Sequence, residues 1–227
     1  MMKKQGYWII ILVLCLAGCL GNKEDLRLYR FQGEVFGTYY SVAYYSHDLV
    51  VEQTALDSLF ARFNASLSYY DPNSLISRIN RGETDSLDYW FETVLQRSLE
   101  IARETSGAFD PTLAPLINAW GFGFRNREKI TPELIDSLKA LTGYRYVTVQ
   151  NGQLITHKQG IQFDFNAIAK GYAADVAGNF LEGFGIESYL VEIGGDLIAR
   201  GRKPDGTLWR IGLEIPAESA DAPQQWE

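Results

Sequence analysis

The chain has 227 residues, enough for one domain with a sizeable core. Its formal net charge of -7 and pI near 5.0, with no basic run beyond the first few residues, argue against nucleic acid as a partner, because neutralising phosphates takes clustered Lys and Arg. An apolar fraction of 46% with charges of both signs excludes a disordered chain, and no internal repeat or low-complexity tract divides it.

The first elements in the chain belong to export. Lys3 and Lys4 form a short positive region. Tyr7 to Leu16 is an apolar run, shorter than the roughly 20 residues that a membrane-spanning helix needs. Leu16-Ala17-Gly18-Cys19 follows, and small residues before a cysteine have the look of a bacterial lipobox. On that pattern Cys19 becomes the lipid-bearing first residue, although an ordinary signal peptide shares the earlier features. The expected division is a signal peptide over 1–18, a tether over 19–29 and one folded domain over 30–227. Cys15 falls inside the signal, so the mature chain would hold only the capped Cys19 and no disulfide. The expected location is the extracytoplasmic or periplasmic face of the cell membrane, held there by several acyl chains.

Residues 30 to 45, RFQGEVFGTYYSVAYY, alternate and are rich in aromatic and β-branched side chains, which predicts one or two strands. Val51, Ala55, Leu59 and Phe63 recur every four residues and predict an amphipathic helix. Asp71-Pro72-Asn73 marks a turn. A second helix is expected over 87–105, with Phe91, Leu95 and Leu99 on one face and Gly107 as its C-cap. TPELIDSLKALTG predicts a helix from Thr131 as N-cap, through Pro132, to Gly143. YRYVTVQ and QLITHK read as two strands joined by Asn151-Gly152. GIQFDF reads as another strand, followed by a helix over 167–182 with Asn166 as N-cap and Ile168, Tyr172, Val176 and Phe180 stacked. SYLVEIGGDLIARG and TLWRIGLEI read as two further strands about the turn Lys203 to Gly206, with Gly194-Gly195 as a bulge or a point of close backbone approach. These elements predict an α+β fold: mostly antiparallel hairpins with helices packed on one side.

DFNAIAKGYAAD, 164 to 175, has the clearest chemical character. A helix N-terminus presents unpaired N–H groups and a positive dipole end, which suit a phosphate. Ala167 and Ala169 are small enough to admit a bulky ligand, Lys170 adds a point charge and Asp164 can only accept. An exposed Lys and a capping Asp would read the same way. In SGAFDPTLAPL, Asp110 precedes Pro111 and is held extended beside Ala108 and Phe109, an arrangement that suits a ring with polar edges and equally a plain turn. Tyr69, Tyr70 and the aromatics near 36–40 could stack on a planar ring or fill the core. His47 and His157 are the only histidines, and no zinc, Walker, nucleophile-elbow or dinucleotide motif is present.

Taken in order, FGTYYSV, LSYYDPNSLISRIN, SGAFDPTLAPLINAWGFG, DFNAIAKGYAADVAGNFL and YLVEIGGDLIARG resemble the ApbE family of flavin-binding lipoproteins, over roughly residues 30 to 215. The resemblance implies an ApbE or T-fold-like domain. It also implies Mg²⁺-dependent transfer of FMN from FAD to a Thr or Ser hydroxyl of an acceptor protein, for which a membrane redox-complex subunit is expected. Water in place of the hydroxyl would make the protein an FAD pyrophosphatase, and a non-catalytic flavin-binding lipoprotein is the third possibility. It implies that Phe36, Tyr70, Ala108, Phe109, Asp110, Asp164 and Lys170 contact FAD and that Ala167 offers a carbonyl to Mg²⁺. Phe36 stands where the family commonly has methionine. The family's later His-x-x-Asp-Pro-x-Thr-Gly block, which supplies further Mg²⁺ ligands, has no match here, so the chain is expected to be C-terminally truncated and its transferase activity impaired.

Overall fold

The computed structural model describes residues 26–122, 129–212, 214–215 and 225–226. The expected signal peptide, Cys19 and most of the tether lie outside them. The elements, in chain order, are β1 (Arg27–Val35), β2 (Thr38–Ser46), α1 (Gln53–Leu67), α2 (Leu75–Asn80), α3 (Tyr89–Glu104), α4 (Ala114–Ala119), α5 (Pro132–Lys139), β3 (Val147–Gln150), β4 (Gln153–Thr156), α6 (Ala169–Gly183), β5 (Ser188–Ile193), β6 (Asp196–Arg200), β7 (Glu214–Ile215) and β8 (Gln225–Trp226).

One four-stranded antiparallel sheet, in the order β1-β2-β5-β6, organises the domain. Period-two alternation sets its two faces: Tyr40, Val42 and Tyr44 are buried inward, while Tyr39, the neighbour just before Tyr40, is exposed. Helices α1 and α6 pack on the inner side, with α6 against β5 and β6. Gly178 permits the close approach of α6, because a Cβ there would come within 2.8 Å of the Tyr189 hydroxyl. The expected α+β fold with antiparallel hairpins and packed helices is the observed one. Asp88 and Thr131 start α3 and α5 by accepting the N–H of Phe91 and of Leu134.

Several local expectations need correction. GIQFDF is not a strand. The Asn80 amide takes over the Phe163 backbone, accepting its N–H at 2.7 Å and donating to its carbonyl at 2.8 Å, while Asp164 N donates to the Pro111 carbonyl at 2.9 Å. With a side chain as partner, those residues need no strand neighbour. Gly194-Gly195 is a two-residue hairpin turn between β5 and β6, not a bulge. The expected strand at TLWRIGLEI is reduced to Glu214–Ile215. The left-handed residue that ends α3 is Ser106, at φ 54, with Gly107 following at φ 88. Gly107 N donates to the Ala102 carbonyl at 2.8 Å and Ser106 N to the Arg103 carbonyl at 3.1 Å, the paired bonds of a Schellman end. Helix α5 stops at Lys139 rather than Gly143. Helix α6 starts at Ala169, and its deepest side chains are Ala173, Ala174, Ala177 and Leu181, while the Tyr172–Val176–Phe180 stripe is only half-buried.

Candidate flavin cleft

The β1–β2 hairpin, the end of α1 and the start of α6 meet around a cleft of about 790 Å³. Phe36 and Gly37 form the hairpin's two-residue turn at φ 52 and φ 74, the left-handed geometry that suits the twist of a tight hairpin. Glycine adopts it freely, whereas Phe36 does so at a steric cost. The Phe36 ring packs 5.4 Å from Phe63 and 6.1 Å from Phe60, between ring centroids, and lines the cleft. Tyr70 lines it as well. Its ring lies edge-on to Tyr69, its hydroxyl is 3.4 Å from the Phe122 carbonyl, and 57% of the residue is exposed.

The start of α6 forms the opposite wall. Ile168 N and Ala169 N both donate to the Phe165 carbonyl, at 2.9 and 2.8 Å. Ile168 occupies the N-cap and supplies no capping side chain. Among the described residues no hydrogen bond satisfies the N–H groups of Lys170 or Gly171. An uncapped first turn with open donors is an anion site. The Lys170 ammonium lies at the same place, donating to the Gly194 carbonyl at 3.1 Å and standing 3.5 Å from Asp196 Oδ2. Both side chains of that pair are near half-exposed, so the pair itself is worth at most about 1 kcal/mol.

Asn166, expected as the cap, points its donors backward instead. Its N–H and its Nδ2 donate to the two carboxylate oxygens of Asp164, at 2.7 and 3.1 Å. Asp164 is buried; loss of water pushes its pKa above the ordinary carboxylate range, and the two Asn166 bonds pull the other way. Asp164 therefore shapes the turn that opens the helix, while Asn166 and Lys170 line the cleft.

Ala167 lies on the other side of this turn, in a second cleft of about 510 Å³ shared with Arg97, Tyr172, Asp175 and Asp196. Burial raises the pKa of Asp175 there. Among the described residues the Ala167 carbonyl accepts no backbone hydrogen bond. No group of three or more His, Cys, Asp or Glu side chains able to hold a metal occurs among the described residues.

Ala108, Phe109 and Asp110 line neither of these clefts. Asp110 accepts from Thr112 N at 2.8 Å, Thr112 Oγ1 at 2.7 Å and Tyr144 N at 3.1 Å, so its carboxylate is engaged in holding its own loop. The segment touches the site instead through the Pro111 carbonyl, which accepts from Asp164 N, and through Asn118, whose amide donates to the Tyr69 hydroxyl at 2.6 Å. Thr38, Asn64 and Asp175 were not foreseen as site residues. A polar residue beside Phe63 in an amphipathic helix, and an acid within an alanine-rich one, carry no local signal of a cleft.

The family model described as the ApbE family matches residues 36–226. The chain belongs to the ApbE family. A curated ApbE-family relative from Vibrio cholerae, named FAD:protein FMN transferase, is 33% identical over 92% of this chain and 65% of its own length. One of the same name from Escherichia coli is 31% identical over 95% of this chain and 66% of its own. The chain thus spans just under two thirds of those relatives. The solved structure of the flavin transferase ApbE from Vibrio cholerae superposes with a TM-score of 0.79 at 30% identity, covering 89% of this chain and 68% of that one. The apo Pseudomonas stutzeri flavinyl transferase ApbE superposes at 0.78 with 32% identity, covering 89% and 66%.

Proposed function

We propose that this protein transfers the FMN half of FAD to a Thr or Ser hydroxyl of an acceptor protein and releases AMP. One observation carries the reading: an aromatic wall, Phe36 and Tyr70, faces an uncapped helix start with Lys170 across a single cleft. The first suits a planar ring and the second a diphosphate. The names of the relatives support the same reaction.

In it, the acceptor hydroxyl oxygen bonds to the FMN-side phosphorus and the phosphorus–oxygen bridge to AMP breaks. The bridging electron pair leaves with AMP, and the hydroxyl proton balances the AMP oxyanion. Lys170 and the open N–H groups of the α6 first turn hold the diphosphate. Phe36 and Tyr70 hold the ring. Asp164 keeps the turn in shape by tying Asn166 back.

Mg²⁺ fits the second cleft by donor chemistry: the Ala167 carbonyl, Asp175 and Asp196 are all oxygen donors, which a hard cation prefers. Bound there, it would supply positive charge for the diphosphate and the departing AMP. The expected lipid anchor at Cys19 completes the proposal and places the protein on the extracytoplasmic side of the membrane. No helix among the described residues is long and apolar enough to cross a membrane. Mass spectrometry of membrane-extracted protein checks the anchor, and a mature N-terminus elsewhere than Cys19 would sink it.

The test of the reaction is incubation with FAD, Mg²⁺ and a candidate acceptor, followed by analysis of all products. Flavin-labelled acceptor with equimolar AMP is expected. Free FMN with AMP would make the protein a hydrolase, and intact FAD would leave only a binding function.

A further inference from the structure

The β1–β2 and β5–β6 turns lie side by side at one end of the sheet. Gly194 N donates to the Tyr39 carbonyl at 3.0 Å, and Tyr40 pairs with Ile193 one step further in. The contact is close: a Cβ on Gly194 would sit 2.7 Å from Thr38 Cγ2 and 2.9 Å from its Oγ1. Gly195 differs. It too has positive φ, 93, but a Cβ there would meet nothing within 4 Å. Only Gly194 therefore requires glycine for contact as well as for conformation. Its carbonyl is the one that receives the Lys170 ammonium, at 3.1 Å.

We propose that the Gly194–Gly195 turn, seated on Thr38, is the positioning element that sets Lys170 against the diphosphate. An exposed lysine on a four-carbon stem samples many rotamers, and its ammonium has three donors. The Gly194 carbonyl takes one donor and leaves two for phosphate oxygens. Asp196 adds only a weak, half-exposed attraction and does not fix direction. The hydrogen bond to a rigid turn carbonyl thus organises the cation before the ligand arrives, which reduces the cost of ordering it on binding. Thr38 decides how close that turn lies to the cleft, since it lines the cleft and touches the Gly194 position. This rests on the reading of the cleft as an FAD site.

The test compares FAD with riboflavin, which carries the ring but no phosphate, by fluorescence titration of the full chain. Gly194→Ala, pushed off Thr38, is expected to raise the FAD Kd about tenfold, the size of one displaced charge-assisted hydrogen bond. Riboflavin affinity should stay within about twofold, because the ring's partners do not move. In a Thr38→Ala background the same Gly194 change should cost less, since the nearest remaining atom, the residue-38 Cβ, is 3.3 Å away. Thr38→Ser, which removes only the methyl under the turn, should shift the ratio in the same direction by a smaller factor, so the outcome does not depend on a left-handed alanine folding. Equal losses for both ligands, an unchanged ratio in Gly194→Ala and Thr38→Ser, or an undiminished loss in the Thr38→Ala background would overturn the positioning role. Wild-type protein that binds riboflavin but gains nothing from the phosphates would overturn the reading of the diphosphate site, and this inference with it.

Discussion

Phe36-Gly37 and Asn151-Gly152 are one turn built twice. The φ angles are 52 and 74 in the first and 53 and 72 in the second. Both close two-residue antiparallel hairpins. At the second turn the residue is the one that local physics favours, because asparagine tolerates the left-handed region. At the first it is phenylalanine, whose bulk makes that region cost on the order of 1–3 kcal/mol. The difference teaches what each turn is for. Where the local rule is obeyed the turn is scaffold, and where it is broken at the same geometry the side chain is kept for what it touches. Phe36 touches Phe60, Phe63 and the cleft.

The largest expected effect breaks the comparison at its functional end. Phe36→Ala removes an aromatic surface whose burial is worth about 1.5–3 kcal/mol, so FAD affinity should fall roughly tenfold to a hundredfold. A fluorescence titration with unchanged affinity would make Phe36 mere scaffold. Asp110→Ala comes next. It strips the acceptor from three hydrogen bonds and should lower stability by about 1–3 kcal/mol in urea unfolding. Lost flavin affinity at full stability would instead give Asp110 the direct contact that the family resemblance implies.

Strain at Phe36 is sharpened by a pair of variants. Phe36→Gly should be more stable than Phe36→Ala by about 1 kcal/mol, the reverse of the order at an ordinary strand or helix position. The matching change at the scaffold turn, Asn151→Ala, should cost somewhat under about 1 kcal/mol and leave FAD titration curves unmoved. An effect of Asn151 on flavin would erase the distinction between the turns.

The smallest effect is a pH slope. The folded-state pKa of Asp164 is raised by burial, so folding favours its protonated form. That contribution is fully present below the ordinary carboxylate pKa and is lost as pH rises through the raised value. Asp164→Asn cannot ionise, so its stability relative to wild type should improve between acid and neutral pH. Paired thermal melts at the two ends of that range check the sign, and a slope running the other way would mean that the Asn166 bonds outweigh desolvation.

Local chemistry decided a good deal of this molecule. Asn151-Gly152 could only be a tight hairpin, Thr131-Pro132 only a helix start, and the apolar spacing of α1 and α3 placed Phe63, Phe91 and Leu95 inside. Each of these depends on neighbours within a few residues, so a linear reading suffices. The ordered sequence blocks were also enough to identify the family. What only the tertiary structure decided depends on which of several possible partners each group takes. GIQF has the composition of a strand, yet Asn80 satisfies the Phe163 backbone from 83 positions away. Asn166 has the composition of a cap, yet the buried Asp164 draws its donors back and leaves the helix start open. Gly194-Gly195 reads as a bulge within one strand, and the pairing of Ile193 with Asp196 makes it a hairpin turn between two. Ala167 and Lys170 are three residues apart in one motif, but they line different clefts because the chain turns into α6 between them. The physical reason is that every polar group must find a partner, and composition does not say which of several near or distant groups the folded chain will bring within reach.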